Sequence, residues 1–179
     1  MNAAKILEGA IAAVIYSCCR LEPMPRLRTW QAIDADGKWT STDDRTFPSI
    51  DIRVSPPVVD ENGCTFVHTA VIEIRTHAEV DQTHAEISVI YEAVQGAVDA
   101  HYADYLTGVS RDTISGETTA PNQARTAFLE EIARQGVTSE LLHVAGISYG
   151  TPMMPVNDDE ANAIGVSIDL HCARKGFLT

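Results

Sequence analysis

The sequence predicts an α+β domain in which helices pack on one face of a mostly antiparallel, four-stranded sheet. Apolar and polar residues alternate in three segments, near residues 50–54, 66–74 and 164–170. Such alternation is typical of strands with one buried face and one solvated face. Elsewhere, apolar residues recur every three or four positions, which indicates helices buried along one side. The chain has no internal repeat or linker, so we expect a single domain over residues 1–179.

The chain begins with a predicted helix over residues 2–19. Its apolar stripe consists of Leu7, Ile11, Val14 and Cys18. Residues 20–46 follow as an irregular segment rich in arginine, which we interpret as an extended basic arm. Within this arm, Asp36-Gly37 is typical of a tight hairpin turn.

Two predicted strands follow the arm and form an antiparallel hairpin with one solvated face. The first strand begins at Pro48, and its inward residues are Ile50, Ile52 and Val54. The second strand spans residues 65–76, and its inward residues are Phe66, Ala70, Ile72 and Ile74. A polar turn at residues 60–63 separates the two strands.

A long second helix is predicted to begin near Asp81 or Thr83 and to end at Gly108. Residues 83–86 (THAE) fit a capping box, in which the Thr and Glu side chains bond backbone amides at the helix start. The apolar stripe of this helix consists of Ile87, Tyr91, Val94, Val98, His101 and Tyr105.

A third helix is predicted over residues 122–135, within a helical insertion at residues 110–136, and Gly136 is expected to end it. Two strands then close the domain, at residues 142–149 and 164–170. We expect one hydrophobic core to join the last strand to the hairpin and the second helix. Its predicted members are Ile72, Ile74, Ile87, Val94, Val98, Val166 and Ile168.

The charge balance is strongly acidic, because 13 Lys and Arg residues against 25 Asp and Glu residues give a formal net charge of −12. Such a surface repels nucleic-acid phosphates, which disfavours a DNA-gripping function. A conduit through which DNA slides without binding is compatible with this charge. The start of the chain resembles neither a secretory signal nor a membrane span, so we expect a cytoplasmic protein. The four cysteines form no C-x-x-C pair and are expected to be free thiols.

Three carboxylates are predicted to share the solvated face of the sheet: Asp51, Glu73 and Asp169. Clustered carboxylates can perform acid–base chemistry or bind Mg²⁺. Because Arg53 and Arg75 are expected on the same face, we prefer cross-strand ion pairs. A third interpretation makes this face a subunit interface, where charges fix the register of the contact.

The motifs of the chain favour no catalytic, cofactor-binding or metal site. His77 and His84 flank Asp81, but the chain has no H-E-x-x-H and no C-x-x-C motif. We therefore interpret both histidines as surface residues. The chain also has no Gly-rich phosphate loop and no defensible nucleophile–base pair, so we expect neither enzyme activity nor a cofactor.

Several motifs are similar to those of a family of phage proteins. The first strand is entered through residues 47–52 (FPSIDI). The second ends in residues 71–76 (VIEIRT), followed by residues 81–86 (DQTHAE) and, on the helix, residues 90–94 (IYEAV). This pattern resembles the tail terminator and tail completion proteins of long-tailed bacteriophages, and their neighbours in the phage neck. The resemblance covers roughly residues 1–19, 47–107 and 140–172, and excludes the basic arm and the helical insertion.

The resemblance implies a structural virion protein that forms a hexameric ring at the head-proximal end of the phage tail. Such a ring ends polymerisation of the tail tube and joins the tail to the filled head. The implied partners are further copies of the chain, the major tail tube protein and head-tail connector proteins, with assembly in the host cytoplasm. DNA would pass through without specific binding, and no membrane is involved. Two alternatives stay open: a head-tail connector or head-closure protein of the same neck, and a small metal- or carboxylate-dependent enzyme.

Two sets of candidate residues follow from these expectations. Because arginine and aromatic residues are enriched at interfaces, the arm supplies the interface candidates Arg26, Arg28, Trp30, Trp39 and Arg45. Packing of the arm on its own subunit is equally compatible with the sequence. A channel that repels phosphates keeps DNA mobile, so the channel-lining candidates are Asp51, Glu73 and Asp169.

Overall fold

A computed structural model of the chain describes residues 3–29, 46–59, 61, 63, 65–107, 120–137, 144–149, 153–157 and 161–173. These residues form three helices: α1 (Ala3–Cys18), α2 (Ala85–Thr107) and α3 (Ala120–Arg134). They also form seven strands: β1 (Arg26–Thr29), β2 (Ser49–Val54), β3 (Val58–Val59), β4 (Thr65–His77), β5 (Val144–Tyr149), β6 (Met153–Asn157) and β7 (Ala161–Ala173).

All seven strands belong to one mixed sheet in the order β1-β2-β4-β7-β5. The short strands β3 and β6 pair with β4 and β7 respectively. β1 runs parallel to β2, and every other pairing among the described strands is antiparallel. The predicted α+β class and the predicted hairpin of β2 with β4 are therefore confirmed.

The hydrophobic core lies between the sheet and the helices. The register places Ile52 opposite Ile72 and Ile72 opposite Val166, so apolar side chains from three strands meet on one face. α1 and α2 pack against the strands, whereas α3 lies on α1 and α2. One cluster of buried apolar residues joins all these elements. The seven predicted core residues are all buried: Ile72, Ile74, Ile87, Val94, Val98, Val166 and Ile168.

The predicted count of four strands was too low. The missed strands are β1, β3 and β6, which have four, two and five residues. So few residues do not establish an alternating pattern, and each short strand depends on a longer neighbour for its hydrogen bonds. β1 also falls inside the segment that the sequence analysis treats as an irregular arm.

The ends of α2 and α3 are set by different capping contacts. At the start of α2, the Asp81 carboxylate accepts hydrogen bonds from the amides of Glu86 and Ile87, both at 3.0 Å. The predicted capping box at residues 83–86 was therefore wrong, because His84 has a left-handed φ of 57° and separates Thr83 from the first turn. At the end of α3, Gly136 has a φ of 77° and its amide bonds the Ala133 carbonyl, which confirms the predicted termination.

Among the described residues, no helix is both long enough and apolar enough to cross a membrane. The cysteines Cys18, Cys19 and Cys172 are free thiols, as expected, and burial raises the pKa of Cys19 and of Cys172 to about 12. Cys64 lies outside the described residues.

Candidate functional site

The sheet has a second face, which points away from the hydrophobic core and which we call the outer face. Its side chains alternate with the core residues along β2, β4 and β7. On β4 the outer residues Val67, Thr69, Val71, Glu73 and Arg75 are all partly exposed. The three carboxylates singled out from the sequence belong to this face, so it is the candidate functional surface.

Arg28 and Asp51 form a buried ion pair on the outer face. Arg28 Nε donates to Asp51 Oδ1 at 2.5 Å, and Arg28 Nη2 donates to Asp51 Oδ2 at 3.0 Å. Nη2 also donates to the hydroxyl of Ser49 at 2.7 Å. The pair links β1 to β2, because Arg28 lies directly beside Asp51 in the register.

The burial of this pair corrects two predictions. Asp51 was expected on a solvated face as a channel-lining residue, but only 1% of its surface is exposed. Arg28 was expected at a subunit interface, but it is 6% exposed and is engaged by Asp51 and Ser49. Burial raises the pKa of Asp51, and the hydrogen bonds and positive charge of Arg28 offset that rise only in part.

Glu73 and Arg75 form a second ion pair, which is more open to solvent. Arg75 Nε donates to Glu73 Oε1 at 2.5 Å and lies 3.8 Å from Asp51 Oδ2. The side chains of Arg75 and Glu73 are 30% and 19% exposed. The predicted cross-strand ion pairing is confirmed for Asp51, which pairs with Arg28 on β1 and lies 3.8 Å from Arg75 on β4, whereas Glu73 pairs with Arg75 along the same strand.

Asp169 stands apart from the other two carboxylates. Glu73 pairs in register with Gly165, so Asp169 lies four residues farther along β7, or about 13 Å at about 3.3 Å per residue. Its Oδ1 accepts a hydrogen bond from the Thr69 hydroxyl at 2.7 Å. The three carboxylates therefore share a face without forming one cluster.

The remaining arm candidates are described only in part. Arg26 is partly exposed, and its Nη1 donates a long hydrogen bond of 3.4 Å to the Thr46 hydroxyl. Its amide bonds the carbonyl of Pro48 at 3.1 Å, so the two ends of the arm are held together. Trp30, Trp39, Arg45 and the predicted Asp36-Gly37 turn lie outside the described residues.

The histidines show no metal-binding arrangement in the part of the chain that the structure describes. His77 and His84 are exposed there, as expected, and no group of three potential ligands occurs among those residues. His68 is instead buried on the core side of β4, with Nδ1 2.9 Å from the Ser55 carbonyl oxygen. Burial lowers the pKa of His68, so the neutral ring donates this hydrogen bond. The burial of His68 was not predicted from the sequence, although His68 lies two positions before Ala70 on the apolar side of the strand.

The second feature not predicted from the sequence is a groove between the segment that follows α1, the residue that precedes β2 and the start of α2. It has a volume of about 380 Å³, and we call it the proline groove. Its apolar lining consists of Leu21, Pro23, Pro25, Pro48, Ala85, Val89 and Ile90. Two exposed carboxylates, Glu22 and Glu86, also line it. These residues come from three distant segments of the chain, so no local sequence signal brings them together.

Comparison with known proteins yields no match: no protein-family model fits the chain, and no curated protein matches it. The fold, the outer face and the sequence motifs are therefore the features that bear on function.

Proposed function

We propose that the protein is a tail terminator of a long-tailed bacteriophage, which forms a ring at the head-proximal end of the tail. In this role it ends polymerisation of the tail tube and joins the tail to the head. Its partners are further copies of itself in a hexamer, the major tail tube protein and head-tail connector proteins. The motifs at residues 47–52, 71–76 and 81–94 support this proposal, because they resemble those of that family.

The observation that carries the proposal is the one-sided packing of the sheet. Both α1 and α2 contribute to the core on one face, and the outer face of β4 stays partly exposed along its whole length. A polar sheet face of this kind is suited either to a neighbouring subunit or to an aqueous channel. Its ion pairs would fix the register of such a contact more than they would add affinity.

The acidic charge of the chain supports a DNA conduit. The net charge of −12 must be spread largely over exposed surface, because unpaired buried carboxylates are costly. Two partly exposed carboxylates on the outer face, Glu73 and Asp169, remain the channel-lining candidates. Asp51 is no longer one of them, because it is buried and paired with Arg28.

The enzyme alternative depended on the same carboxylates. Asp51 is held by Arg28, Glu73 is held by Arg75, and Asp169 lies about 13 Å from Glu73 along the strand direction. None of the three therefore forms the paired, accessible arrangement that acid–base catalysis requires.

Electron microscopy tests the proposal at two levels. The purified protein should form rings in negative stain, with a mass near six subunits by mass photometry. An antibody against the chain should label the junction between head and tail in whole particles. A protein that stays monomeric at high concentration and labels no part of the particle would rule the proposal out.

A further inference from the structure

The proline groove lies at one end of the sheet. Pro48 immediately precedes Ser49, which pairs in register with Arg75 on β4. Arg75 in turn pairs with Ala163, near the start of β7. Val89 and Ile90 approach the groove from the first turns of α2. Val89 is 58% exposed although it is a large apolar residue, so this end of the molecule offers apolar surface to a partner.

The segment that follows β7 has the complementary chemistry. Residues 174–178 read Arg-Lys-Gly-Phe-Leu, with two cations followed by two large apolar side chains. The groove offers the carboxylates of Glu22 and Glu86 beside its apolar lining. Copies of a chain with a net charge of −12 repel each other overall. Two adjacent cations next to apolar residues can instead attract an acidic, apolar surface of another copy.

The segment cannot reach the groove of its own subunit. β7 runs away from the groove, and Ala173 lies ten residues beyond Ala163, or about 33 Å at about 3.3 Å per residue. Leu178 is five residues past Ala173, so a fully extended chain carries it at most about 18 Å farther. The end of β7 at Ala173 and the proline groove therefore lie at opposite ends of the sheet.

We infer that the proline groove binds residues 174–178 of a second copy of this chain. Phe177 and Leu178 occupy the apolar lining, and Arg174 and Lys175 pair with Glu22 and Glu86. Such a contact is head-to-tail, and repeated head-to-tail contacts generate a ring when the rotation between subunits closes. The inference rests on the proposed function only for the closure of these contacts into a ring. Binding of the segment to the groove of a second copy does not depend on a role in a phage tail.

A synthetic peptide of residues 172–179 tests the groove directly. The receptor is the full chain carrying Phe177→Asp and Leu178→Asp, so that the segments of other receptor copies do not compete. We expect saturable binding by fluorescence anisotropy, weakened about tenfold or more by Val89→Asp in the receptor, as for loss of a central apolar contact. The matched control is Val58→Asp, because Val58 is 68% exposed and lies outside the groove. A peptide that does not bind, or that binds the Val89→Asp receptor equally well, overturns the inference.

The charge contribution is tested with paired substitutions. Glu22→Lys with Glu86→Lys should weaken peptide binding. The difference in affinity between this variant and the wild type should become smaller as the ionic strength rises, because salt screens exposed ion pairs. Glu92→Lys with Glu130→Lys is the control, since both residues are exposed and the change in net charge is the same. Equal weakening by both pairs would show a general charge effect and would contradict docking at this groove.

Mixing two variants tests whether the contact joins different copies. The Phe177→Asp, Leu178→Asp chain lacks the segment's apolar residues, and the Val89→Asp chain lacks the groove. Each alone should be monomeric by mass photometry, whereas a mixture should form dimers, because one intact segment meets one intact groove. Variants that keep the wild-type assembly overturn the inference while leaving the ring proposal standing. If the mixture forms dimers but the antibody does not label the junction between head and tail, only the proposed function is refuted.

Discussion

Arg28 and Asp51 are joined by two hydrogen bonds in a buried ion pair that attaches β1 to β2. Both side chains are almost fully covered, at 5% and 1% exposure. Forming a buried ion pair requires both charges to lose their hydration, which offsets much of their attraction. Removing one partner then destabilises the fold strongly, because the other charge stays buried without a partner.

Removal of one partner should therefore destabilise the protein strongly. We expect Arg28→Met to lower the free energy of unfolding by about 3–5 kcal/mol, because Asp51 is left as an uncompensated buried charge. The double variant Arg28→Met, Asp51→Leu should recover much of this loss. Glu73→Gln is the control, with an expected cost of at most about 1 kcal/mol for a partly exposed pair. Urea denaturation of the three variants and the wild type measures these differences. Equal costs for Arg28→Met and Glu73→Gln would contradict the burial of the pair.

The cap of α2 predicts a specific pH dependence. Burial alone would raise the pKa of Asp81, but hydrogen bonds from the amides of Ile87 and Glu86 and from the Thr76 hydroxyl outweigh it and lower the pKa. The stabilisation is therefore complete above the ordinary Asp pKa of about 3.9 and is lost as the pH falls through the lower folded value.

Asp81→Ala should cost about 1–2 kcal/mol at neutral pH, as for other lost N-caps. Its deficit relative to wild type should shrink progressively as the pH falls below about 4, because Asp81 is protonated first in the unfolded chain and, at the lower folded pKa, also in the native protein. Thr83→Ala, the residue that the sequence pattern favoured as the cap, should have little effect. If Thr83→Ala proves as costly as Asp81→Ala in thermal denaturation across this pH range, the assignment of the cap is wrong.

The two glycines Gly136 and Gly96 should respond to alanine in opposite directions. Gly136 has a left-handed φ of 77° at the end of α3, so Gly136→Ala should destabilise by about 1 kcal/mol. Gly96 lies within α2, and a methyl group there would contact nothing within 4 Å. Gly96→Ala should therefore stabilise by about 0.5–1 kcal/mol. A loss of stability on Gly96→Ala would show that another group occupies that space.

The facing of β7 predicts unequal effects of two adjacent substitutions. Ile168 is 2% exposed in the core, so Ile168→Asp should unfold the subunit by burying an unpaired charge. Ser167 lies on the outer face and is partly exposed, so Ser167→Asp should leave the fold intact. Circular dichroism and the melting temperature distinguish the two, and a folded Ile168→Asp variant would refute the described facing.

The channel candidates predict a change in DNA affinity. The wild-type protein should not retain duplex DNA at physiological salt, because its acidic surface repels phosphates. Glu73→Lys with Asp169→Lys should produce binding that weakens as salt increases, if both residues face DNA in the assembled ring. Glu92→Lys with Glu130→Lys, on the helices, makes the same charge change away from the outer face. Equal retention of DNA by both variants would remove Glu73 and Asp169 as channel residues.

The sequence was informative where a pattern was long. The strands β4 and β7 have 13 residues each, and the alternation over residues 66–74 and 164–170 within them correctly assigned Ile72, Val166 and Ile168 to the core. The exposure of Asp51 was misjudged because alternation gives the face of a strand, not what covers that face. Arg28, the buried partner of Asp51, lies on a four-residue strand with no recognisable period.

The candidate surfaces were less predictable than the fold. The proline groove depends on the approach of α2 to Pro23 and Pro48, which belong to segments far apart in the chain. The cap at Asp81 was missed because a local motif at Thr83 fits the same helix start equally well. In both cases tertiary contacts, rather than local patterns, decide the outcome.

Tail length in the absence of the protein tests the proposed role most directly. A ring that ends tube polymerisation should, when missing, leave tails that are longer than normal, variable in length and unattached to heads. We therefore expect such tails in electron micrographs of particles produced with an early nonsense codon in this gene, and restoration of normal tails when the intact chain is supplied in trans. Tails of normal, uniform length joined to filled heads in the mutant particles would contradict the proposal.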